Sequence, residues 1–552
     1  MAIIEKVEIE NYRSIKDAIE ITFHADKPLI LVGENNSGKS NITKAIDLVL
    51  GERWPGSYEP EDHEFFGRER TTPIDINIYF ENDPASRLGR YHRVRWYYNP
   101  LEEQDPLTFS GYPGSRGRST GYISNDDREN CISVVIGPDR QLNYQLSYRS
   151  KWTFLSKLMR KFHNSLLSQE DTKDDLERIF EIIKEKFHEV EPFERFSTSL
   201  QNDFESLLGS MTHRLEVDFQ AYNPVNFFHA LRLQAIENDD VRTIEELGTG
   251  EEQLLAIAFA HAYARAFHGG ILLIIEEPES NLHPLMQKWL SRKIHKMAQD
   301  GLQILITTHS PIFINLLQLE GLVLVRKDSD DPNSGTKTIQ IDSASLVENC
   351  IRSGVPESKI NVNNVLPFYS ANSTTEILEG FFAKRIILVE GNTEALTLPI
   401  YMEKSGYDTL EHGIAVIPVF GKGNLSKWKR LFSTYGIPTY IIFDNDEEND
   451  ENGNRRTDIL LTLGADHQEI DQLITQSEWI INQKFSIFGV DYESTLRSLV
   501  ENYVTLEEEA RSNISTNSKP FIARYVANNL ELPEDHPLHT QISLLSEHVL
   551  SL

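Results

Sequence analysis

Cysteine is almost absent from this sequence, which contains only Cys131 and Cys350 among its 552 residues. Two isolated thiols cannot form a disulfide framework or a zinc site built from thiolates, so a reducing compartment is the simplest setting. Long hydrophobic runs are also missing, and the run at residues 271–275 is far shorter than the roughly 20 residues that span a bilayer. The first residues carry Glu5 and Glu8 and lack both the basic flank and the apolar run of a signal peptide. We therefore expect a cytoplasmic protein that does not associate with a membrane.

Positive charge is scarce as well. Lys and Arg total 54 against 84 Asp and Glu, which gives a formal net charge of −30. An acidic total does not favour nucleic-acid binding, but net charge governs solubility and long-range steering and does not set the sign of each local patch. Two basic clusters, at residues 427–430 and within 151–161, could be solvated helix faces or contacts to nucleic acid. The length and the ordinary hydrophobic content predict a globular protein with about three or four folding units.

Strands and helices alternate in two parts of the chain, which predicts two α/β domains. The first comprises residues 1–150 and 211–340, and it is interrupted at 151–210 by a helical insertion in which apolar residues recur at helical spacing. This insertion could serve as an arm or a dimer contact. A polar, irregular segment at 341–383 is the expected linker, and the second α/β domain covers 384–552.

A glycine-rich turn follows the first strongly apolar strand. Residues 33–40 read Gly-Glu-Asn-Asn-Ser-Gly-Lys-Ser and match G-x-x-x-x-G-K-[ST] between a strand and a helix, which is the context that this motif requires. Backbone amides of such a loop cradle phosphates, while Lys39 reaches the β and γ phosphates of ATP and Ser40 binds Mg²⁺. The predicted nucleotide-binding residues of this loop are Gly33, Asn36, Gly38, Lys39, Ser40 and Asn41.

Paired carboxylates end another buried strand, since Glu276 and Glu277 directly follow the apolar residues 271–275. After a phosphate loop, this pattern predicts that Glu276 holds Mg²⁺ through water and that Glu277 acts as general base on the attacking water. Acids at a strand end can also be simple solvated termination, so the prediction depends on the phosphate loop upstream.

Three further motifs resemble those of ABC-type ATPases. Residues 247–253 read Leu-Gly-Thr-Gly-Glu-Glu-Gln and resemble the signature motif, while residues 278–284 resemble the D-loop. Residues 307–310 read Thr-Thr-His-Ser and resemble the segment that carries the switch histidine. Their order and spacing are similar to those of the chromosome-maintenance and recombination branch of that superfamily.

The resemblance implies roles for particular residues. Gly248 and Gly250 would contact nucleotide, and His309 would act in hydrolysis, although a lone histidine is more often a capping or surface residue. Gly248 occupies the usual position of the signature serine, and Thr249 carries the nearest hydroxyl. Because the signature motif of one subunit completes the nucleotide site of another in such ATPases, the resemblance also implies a dimer.

A second group of carboxylates lies in the C-terminal half. Glu390 follows one apolar strand, Glu394 lies one helical turn later, and a second apolar strand ends in Asp444 and Asp446. Hard oxygen ligands without histidine or cysteine suit Mg²⁺ or Mn²⁺. Each acidic pair alone could be surface charge. Glutamate after one apolar strand and Asp-x-Asp after another, about 50 residues on, is, however, the pattern of Toprim domains.

A phosphate-loop head followed by a Toprim domain resembles the OLD (overcoming lysogenization defect) family of ATP-dependent nucleases, over nearly the whole chain. The resemblance implies that Asp491 and Glu493 complete a second metal site and that Lys519 places a positive charge at the scissile phosphate. Gly421 and Gly423 match the glycine turn after the second Toprim strand. Outside the family context, Lys519 could be a solvated loop lysine and Asp491 a helix-cap aspartate. The predicted metal ligands are Glu390, Glu394, Asp444, Asp446, Asp491 and Glu493.

These observations predict an α/β protein in which an ABC-type P-loop ATPase head with a helical insertion precedes a C-terminal Toprim domain. The predicted function is an ATP-regulated, two-metal DNA endonuclease or nickase that uses ATP and Mg²⁺ or Mn²⁺. The family resemblance implies defence against phage or other foreign DNA, a homodimer or higher homo-oligomer, and in some members a second defence protein such as a helicase. The alternative is an ATP-dependent DNA-binding clamp or sensor with a non-catalytic Toprim domain. The full carboxylate set disfavours it, because an inert domain has no physical reason to gather like charges.

Overall fold

The structure is a computed structural model, and it describes most of the chain outside the region of the predicted insertion. The described residues are 2–51, 53–81, 91–113, 123–128, 131–137, 234–237, 240–243, 246, 248–267, 270–328, 331, 333–446, 450, 452–514 and 517–552, with isolated positions between 175 and 191. They divide into two compact units, Met1–Gly137 with His268–Leu552 and Pro138–Phe267. None of the helices within these ranges is long and apolar enough to cross a membrane.

An antiparallel sheet dominates the first part of the chain. The elements described up to residue 137 are β1 (Ile4–Glu10), β2 (Ile19–Thr22), β3 (Leu29–Val32), α1 (Lys39–Leu50), β4 (Ile74–Phe80), β5 (Arg93–Tyr98), β6 (Leu107–Tyr112), α2 (Asn125–Arg128) and β7 (Cys131–Ile136). Five strands form the antiparallel sheet in the order β2-β1-β4-β5-β6. Burial alternates along β5 because one face of this sheet covers the core that α1 also lines.

The second unit contributes a hairpin and a long helix. Its described elements are β8 (Gln234–Glu237), β9 (Asp240–Thr243) and α3 (Thr249–Phe267). Strands β8 and β9 pair in antiparallel fashion. Most of the predicted insertion at 151–210 lies outside the described residues, so the prediction of a dimer contact there stays a prediction.

A six-stranded sheet carries the phosphate loop, the paired glutamates and the histidine segment. The elements that follow α3 are β10 (Gly270–Glu276), α4 (Pro284–Gln299), β11 (Gln303–Thr307), β12 (Leu322–Arg326) and β13 (Lys337–Gln340). The order is β13-β12-β3-β11-β10-β7, with every pair parallel except β12 with β13. Strands β3, β10 and β11 are almost continuously buried, which is typical of parallel strands covered on both faces. Their carboxyl ends lie at one edge, where the phosphate loop, the paired glutamates and His309 follow.

The segment expected to be an irregular linker instead contains three helices. They are α5 (Ser343–Arg352), α6 (Val362–Asn372) and α7 (Thr375–Glu379). The polar residues that suggested a linker cap these helices: Asp342 accepts from the backbone of Ser345, and Asn361 with Asn364 forms a capping box. The three helices have 10, 11 and 5 residues and are separated by polar capping residues, so the segment as a whole resembles a loop in sequence.

The C-terminal α/β domain is built on a separate five-stranded sheet. Its elements are β14 (Arg385–Val389), α8 (Asn392–Lys404), β15 (Ile414–Pro418), α9 (Lys422–Thr434), β16 (Thr439–Asp444), α10 (Asn454–Thr462), α11 (His467–Ile474), β17 (Ile480–Ile481), β18 (Phe485–Phe488), α12 (Tyr492–Leu499), α13 (Tyr503–Ile514), α14 (Lys519–Asn529) and α15 (Pro537–Leu550). The strand order is β15-β14-β16-β18-β17, parallel apart from β17. The carboxyl ends of the neighbouring strands β14 and β16 therefore meet at one edge, as the predicted alternation requires.

Candidate functional site

The phosphate-binding motif forms a tight loop between β3 and α1. Gly33 has φ +145° and Gly38 has φ +108°, values that residues with a side chain rarely adopt. A Cβ atom on Gly33 would lie 2.0 Å from the carbonyl oxygen of Val325, and one on Gly38 would lie 2.2 Å from Oγ1 of Thr336. Both positions require glycine because neighbouring parts of the sheet pack directly against the loop.

Lys39 begins α1, and its side chain turns back across the loop. The Nζ atom donates to the carbonyl oxygens of Gly33 at 2.9 Å and Glu34 at 2.8 Å. Burial lowers the pKa of Lys39 to about 8, while the carboxylates of Glu277 and Glu279 oppose that shift. This arrangement places a cation inside the loop that the motif assigns to phosphate.

The other predicted residues of the loop have different surroundings. Asn36 has a positive φ of 63°, and Ser40 is exposed. The Nδ2 atom of Asn41 donates to Oγ of Ser14 at 2.7 Å, and that hydroxyl lies 2.8 Å from Oγ1 of Thr336. Asn41 thus connects α1 to residues 11–14, which read Asn-Tyr-Arg-Ser.

The paired glutamates and the histidine lie beside the phosphate loop. Glu276 accepts a hydrogen bond from the Thr43 hydroxyl of α1 at 2.5 Å. Glu277 has a positive φ of 49°, which is uncommon for a residue with a side chain, and its N–H donates to the Thr307 carbonyl at 2.8 Å. Burial lowers the pKa of His309, the ammonium of Lys39 lowers it further, and Glu277 opposes both. Lys39, Glu277 and His309 are therefore within electrostatic reach of one another.

Glu279 orders the turn that presents His309, and sequence reasoning did not single it out. Its Oε2 atom accepts from the Thr308 hydroxyl at 2.7 Å, and its Oε1 atom accepts from the backbone N–H of His309 at 2.6 Å. Its place two residues after Glu277 in the D-loop-like segment was the available signal. The carboxylate holds the backbone of the histidine segment in one position.

Gly248 and Gly250 belong to the other compact unit, at the start of α3. The N–H of Gly248 donates to Oε2 of Glu251 at 3.0 Å, and the N–H of Glu252 donates to the Gly248 carbonyl at 3.0 Å. The signature-like segment is thus a helix start that its own glutamate caps. Its part in nucleotide binding stays a prediction.

The C-terminal domain brings four predicted carboxylates to the edge where β14 and β16 end. Glu390 directly follows β14, and Asp444 is the last residue of β16. Oε1 of Glu390 accepts a hydrogen bond from the backbone N–H of Asp444 at 2.9 Å. Glu394 lies in the first turn of α8 and is buried, and Asp446 follows two residues after Asp444.

Burial and mutual repulsion dominate the electrostatics of this group. Burial, together with the charges of Glu390, Glu394 and Asp446, raises the pKa of Asp444 to about 9. Burial raises the pKa of Glu394 to about 7, with contributions from Glu390 and Glu493. The pKa of Glu390 is raised by burial as well, although the cation of Lys422 opposes the shift. These are environments in which a cation would stabilise the ionised carboxylates.

Lys422 is the member of this site that sequence reasoning missed. It lies between Gly421 and Gly423 in the turn after β15, and its buried ammonium forms an ion pair with Oδ1 of Asp446. The same Nζ atom is 3.7 Å from Oε1 of Glu390. A lysine flanked by the two glycines of a recognised turn was the signal that could have identified it.

Three other predicted residues, Asp491, Glu493 and Lys519, form no hydrogen bond with these carboxylates among the described residues. Glu493 is near enough to raise the pKa of Glu394. Asp491 is the N-cap of α12, and its two carboxylate oxygens accept from the backbone N–H and the hydroxyl of Ser494. Lys519 is exposed at the first position of α14, and within the described ranges it forms no ion pair with the carboxylates.

The donor set fits a hard divalent cation. Oδ1 of Asp444 is buried and has no hydrogen-bond partner among the described residues. Carboxylate oxygens are the ligands that Mg²⁺ and Mn²⁺ prefer. In the parts of the chain that the structure covers, no three His, Cys, Asp or Glu side chains are already arranged to hold a metal. The ammonium of Lys422 stands between two of the carboxylates instead.

Two protein families match separate parts of the chain. The family described as "AAA domain, putative AbiEii toxin, Type IV TA system" matches residues 29–315, which is more than half of the sequence. The family described as "Overcoming lysogenization defect protein-like, TOPRIM domain" matches residues 381–446. The second match spans Glu390, Asp444 and Asp446.

Individual relatives match most of the chain. The OLD nuclease of Thermus scotoductus is 27% identical over 463 residues, covering 80% of this chain and 82% of the relative. The Old nuclease of Escherichia phage P2 is 23% identical over 516 residues, covering 86% and 81%. Among solved structures, the Smc head domain of Pyrococcus furiosus bound to the C-terminal domain of ScpA is 17% identical with a TM-score of 0.39, covering 64% of this chain and 100% of that chain. The chain therefore belongs to the AAA domain family that matches residues 29–315, and its identification as an OLD-family protein, in which an ATPase head precedes a TOPRIM domain, is confirmed.

Proposed function

We propose that this protein is a cytoplasmic, ATP-regulated and metal-dependent DNA endonuclease or nickase that acts in defence against phage or other foreign DNA. The observation that carries the proposal is the group of carboxylates at the ends of β14 and β16, of which Glu394 is buried and Glu390, Asp444 and Asp446 are half-buried. Like charges in a poorly solvated place repel one another, and the single cation of Lys422 cannot neutralise four carboxylates, so their accumulation at a strand edge supports a metal site. The names of the two OLD nuclease relatives support the assignment of nuclease activity.

The protein's own residues have separable roles in this proposal. Glu390, Asp444 and Asp446 would hold the divalent ions, with Glu394 and Glu493 beside them. Two Mg²⁺ or Mn²⁺ ions, when bound, would activate water and stabilise the leaving oxygen of a phosphodiester. Strands β14 and β16 fix the carboxylates because their main chains are tied by the ladder between them. Lys519 would add a positive charge near the scissile phosphate from its exposed position.

ATP would bind at the phosphate loop of the head. Lys39 would contact the phosphates, Glu277 would accept the proton of the attacking water, and His309 would contact the γ-phosphate from the turn that Glu279 holds. We propose a homodimer in which the segment around Gly248 in one protomer completes the nucleotide site of the other. Phosphodiester cleavage does not chemically require ATP hydrolysis, so we assign the nucleotide a regulatory role.

Arg326 supplies a physical connection for this regulation. It is the last residue of β12, and its Nη2 atom donates to the carbonyl oxygens of Ala383 at 3.0 Å and Lys384 at 2.8 Å, directly before β14. The same atom lies 3.7 Å from Oε1 of Glu34 in the phosphate loop. One guanidinium thus touches the loop that would bind ATP and the strand that leads to Glu390. A change in the position of Glu34 on ATP binding would alter the strength of this contact.

We predict that Arg326→Ala weakens the response of DNA cleavage to ATP. ATP hydrolysis and metal-dependent cleavage should both persist, because Arg326 belongs to neither carboxylate set, but the ratio of cleavage rates with and without ATP should approach one. The measurement is plasmid cleavage over a range of ATP concentrations. Arg352→Ala is the matched control, since Arg352 is exposed and, among the described residues, pairs only with Glu348 one turn away. An unchanged ATP response in Arg326→Ala would exclude this route of coupling.

The proposed function itself is tested by cleavage of supercoiled plasmid, with metal and nucleotide varied independently. We expect nicked or linear product with Mg²⁺ or Mn²⁺, none with EDTA, and a change of rate when ATP is added. DNA binding without cleavage under every metal condition would favour a clamp or sensor over a nuclease.

A further inference from the structure

Lys422 is a buried lysine placed among acidic side chains. Its side chain is only 2% exposed, and its ammonium pairs with the carboxylate of Asp446 and also donates to the Asp446 carbonyl at 3.3 Å. The second acidic neighbour is Glu390, at 3.7 Å. A buried ammonium is stable only when it is paired, so these contacts hold Lys422 in place, and Lys422 in turn holds the two carboxylates together.

The backbone around Lys422 is held by contacts that do not depend on its side chain. The N–H of Gly421 donates to the Glu390 carbonyl at 2.9 Å, which ties the turn after β15 to the end of β14. Helix α9 is then anchored by the fully buried Trp428, whose ring packs edge-on against Tyr369 of α6. A lysine side chain has four rotatable bonds beyond this anchor, so its ammonium can leave the carboxylates without any change of fold.

Lys422 and a divalent cation compete for Glu390 and Asp446. A divalent ion requires carboxylate oxygens at about 2.0–2.6 Å, and a second cation held by the same oxygens would repel it. We propose that Lys422 is an internal counterion of the TOPRIM site, which neutralises Glu390 and Asp446 before metal binds and which the metal displaces. This inference rests on the metal site of the proposed function. It assigns to Lys422 the role of setting how much free metal the site needs.

The test is a titration of the full chain with Mn²⁺, in which free Mn²⁺ is measured by electron paramagnetic resonance. Wild type must break the Lys422 ion pair in order to bind metal, whereas Lys422→Met has no pair to break. We therefore expect Lys422→Met to bind Mn²⁺ about tenfold more tightly or better, and to melt at a lower temperature than wild type in EDTA. The rise in melting temperature on adding Mn²⁺ should be larger in the variant.

A second substitution makes the outcome independent of whether Lys422→Met folds well. Lys422→Arg keeps the charge and can pair with a carboxylate through two parallel hydrogen bonds, so it should compete more strongly and weaken Mn²⁺ binding below that of wild type. Lys429→Met is the matched control on the same helix. Its ammonium donates to the Thr439 carbonyl at 2.9 Å and has no carboxylate partner within the described ranges, so Mn²⁺ affinity should not change.

Three results separate the possible failures. If wild type binds no Mn²⁺, or if Glu390→Gln binds Mn²⁺ as tightly as wild type does, the metal site of the proposed function is wrong. If wild type binds Mn²⁺ through Glu390 but Lys422→Met binds it equally or more weakly, Lys422 is not displaced and the inference is overturned. Tighter binding in Lys422→Met together with weaker binding in Lys422→Arg would support it.

Discussion

Replacing Asp444 with asparagine is expected to abolish DNA cleavage while leaving the protein folded. The carboxylate is half-buried and within electrostatic reach of Glu390 and Glu394, and its Oδ1 atom is buried without a hydrogen-bond partner in the described structure. An amide has the same shape but binds Mg²⁺ and Mn²⁺ much more weakly than a carboxylate. The cleavage rate should fall by about a thousandfold or more, since the loss removes a central ligand of the site. ATP hydrolysis should persist because the phosphate loop follows β3, which belongs to a different sheet from β16.

The stability of Asp444→Asn provides an independent measurement. Without metal, the substitution removes repulsion between Asp444 and its acidic neighbours, so the melting temperature in EDTA should stay the same or rise. Addition of Mn²⁺ should stabilise wild type more than the variant, because binding to the native state alone raises stability. A variant that cleaves plasmid at the wild-type rate would contradict the assignment of this site.

Asp458→Asn is the matched control for that experiment. Asp458 lies in the same domain, and its carboxylate accepts from Arg430 at 2.6 Å and from the Ser426 hydroxyl, away from the metal-site carboxylates. Loss of this carboxylate leaves Arg430 with fewer partners and should reduce stability by about 1–3 kcal/mol. Cleavage per folded molecule should be retained. The two substitutions therefore separate loss of a metal ligand from loss of a structural ion pair.

Replacing Glu277 with glutamine is expected to lower ATP hydrolysis by about a hundredfold or more, because a general base contributes on that scale. Glutamine keeps the volume of the side chain and can adopt the same backbone conformation, so ATP should still bind. The protein should then remain in its ATP-bound form, which light scattering should detect as a stable dimer. The rate of DNA cleavage should then stay at the value that wild type shows with ATP bound, whether that value is higher or lower than the rate without nucleotide.

Lys39→Ala should give the opposite behaviour. It removes the ammonium that crosses the phosphate loop, so ATP binding should be lost and cleavage should no longer depend on nucleotide. Asp444→Asn, purified and assayed in parallel, distinguishes the nucleotide site from the metal site. It should lose DNA cleavage but keep ATP-dependent dimerisation. If Glu277→Gln and Lys39→Ala both cleave like wild type at every ATP concentration, the two domains are not coupled.

Local sequence patterns did not predict the helices in the segment at 341–383. Strands such as β3, β10 and β14 were predictable because buried parallel strands are continuous apolar runs bounded by turns. The segment at 341–383 has only one short apolar run, at residues 365–369, and its Asp and Asn residues suggest a loop although Asp342 and Asn361 cap helices. Its helices also pack against α9, where Asn349 donates to the Arg430 carbonyl at 3.0 Å and Tyr369 donates to the Lys427 carbonyl at 2.7 Å. Contacts with a helix that comes much later in the chain stabilise them, and local periodicity does not report such contacts.

The sequence alone was sufficient to predict the two α/β domains, the phosphate loop and the carboxylates that end β14 and β16, because each depends on a short motif whose geometry is local. Only the tertiary structure decided which of these groups meet. Lys422 reaches Asp446 because the strand order β15-β14-β16 places the ends of β15 and β16 on either side of β14. Arg326 lies near Glu34 because β12 pairs with β3, and its contact with Lys384 joins one sheet to the other. Strand order depends on the packing of the whole chain, and no spacing within a motif records it.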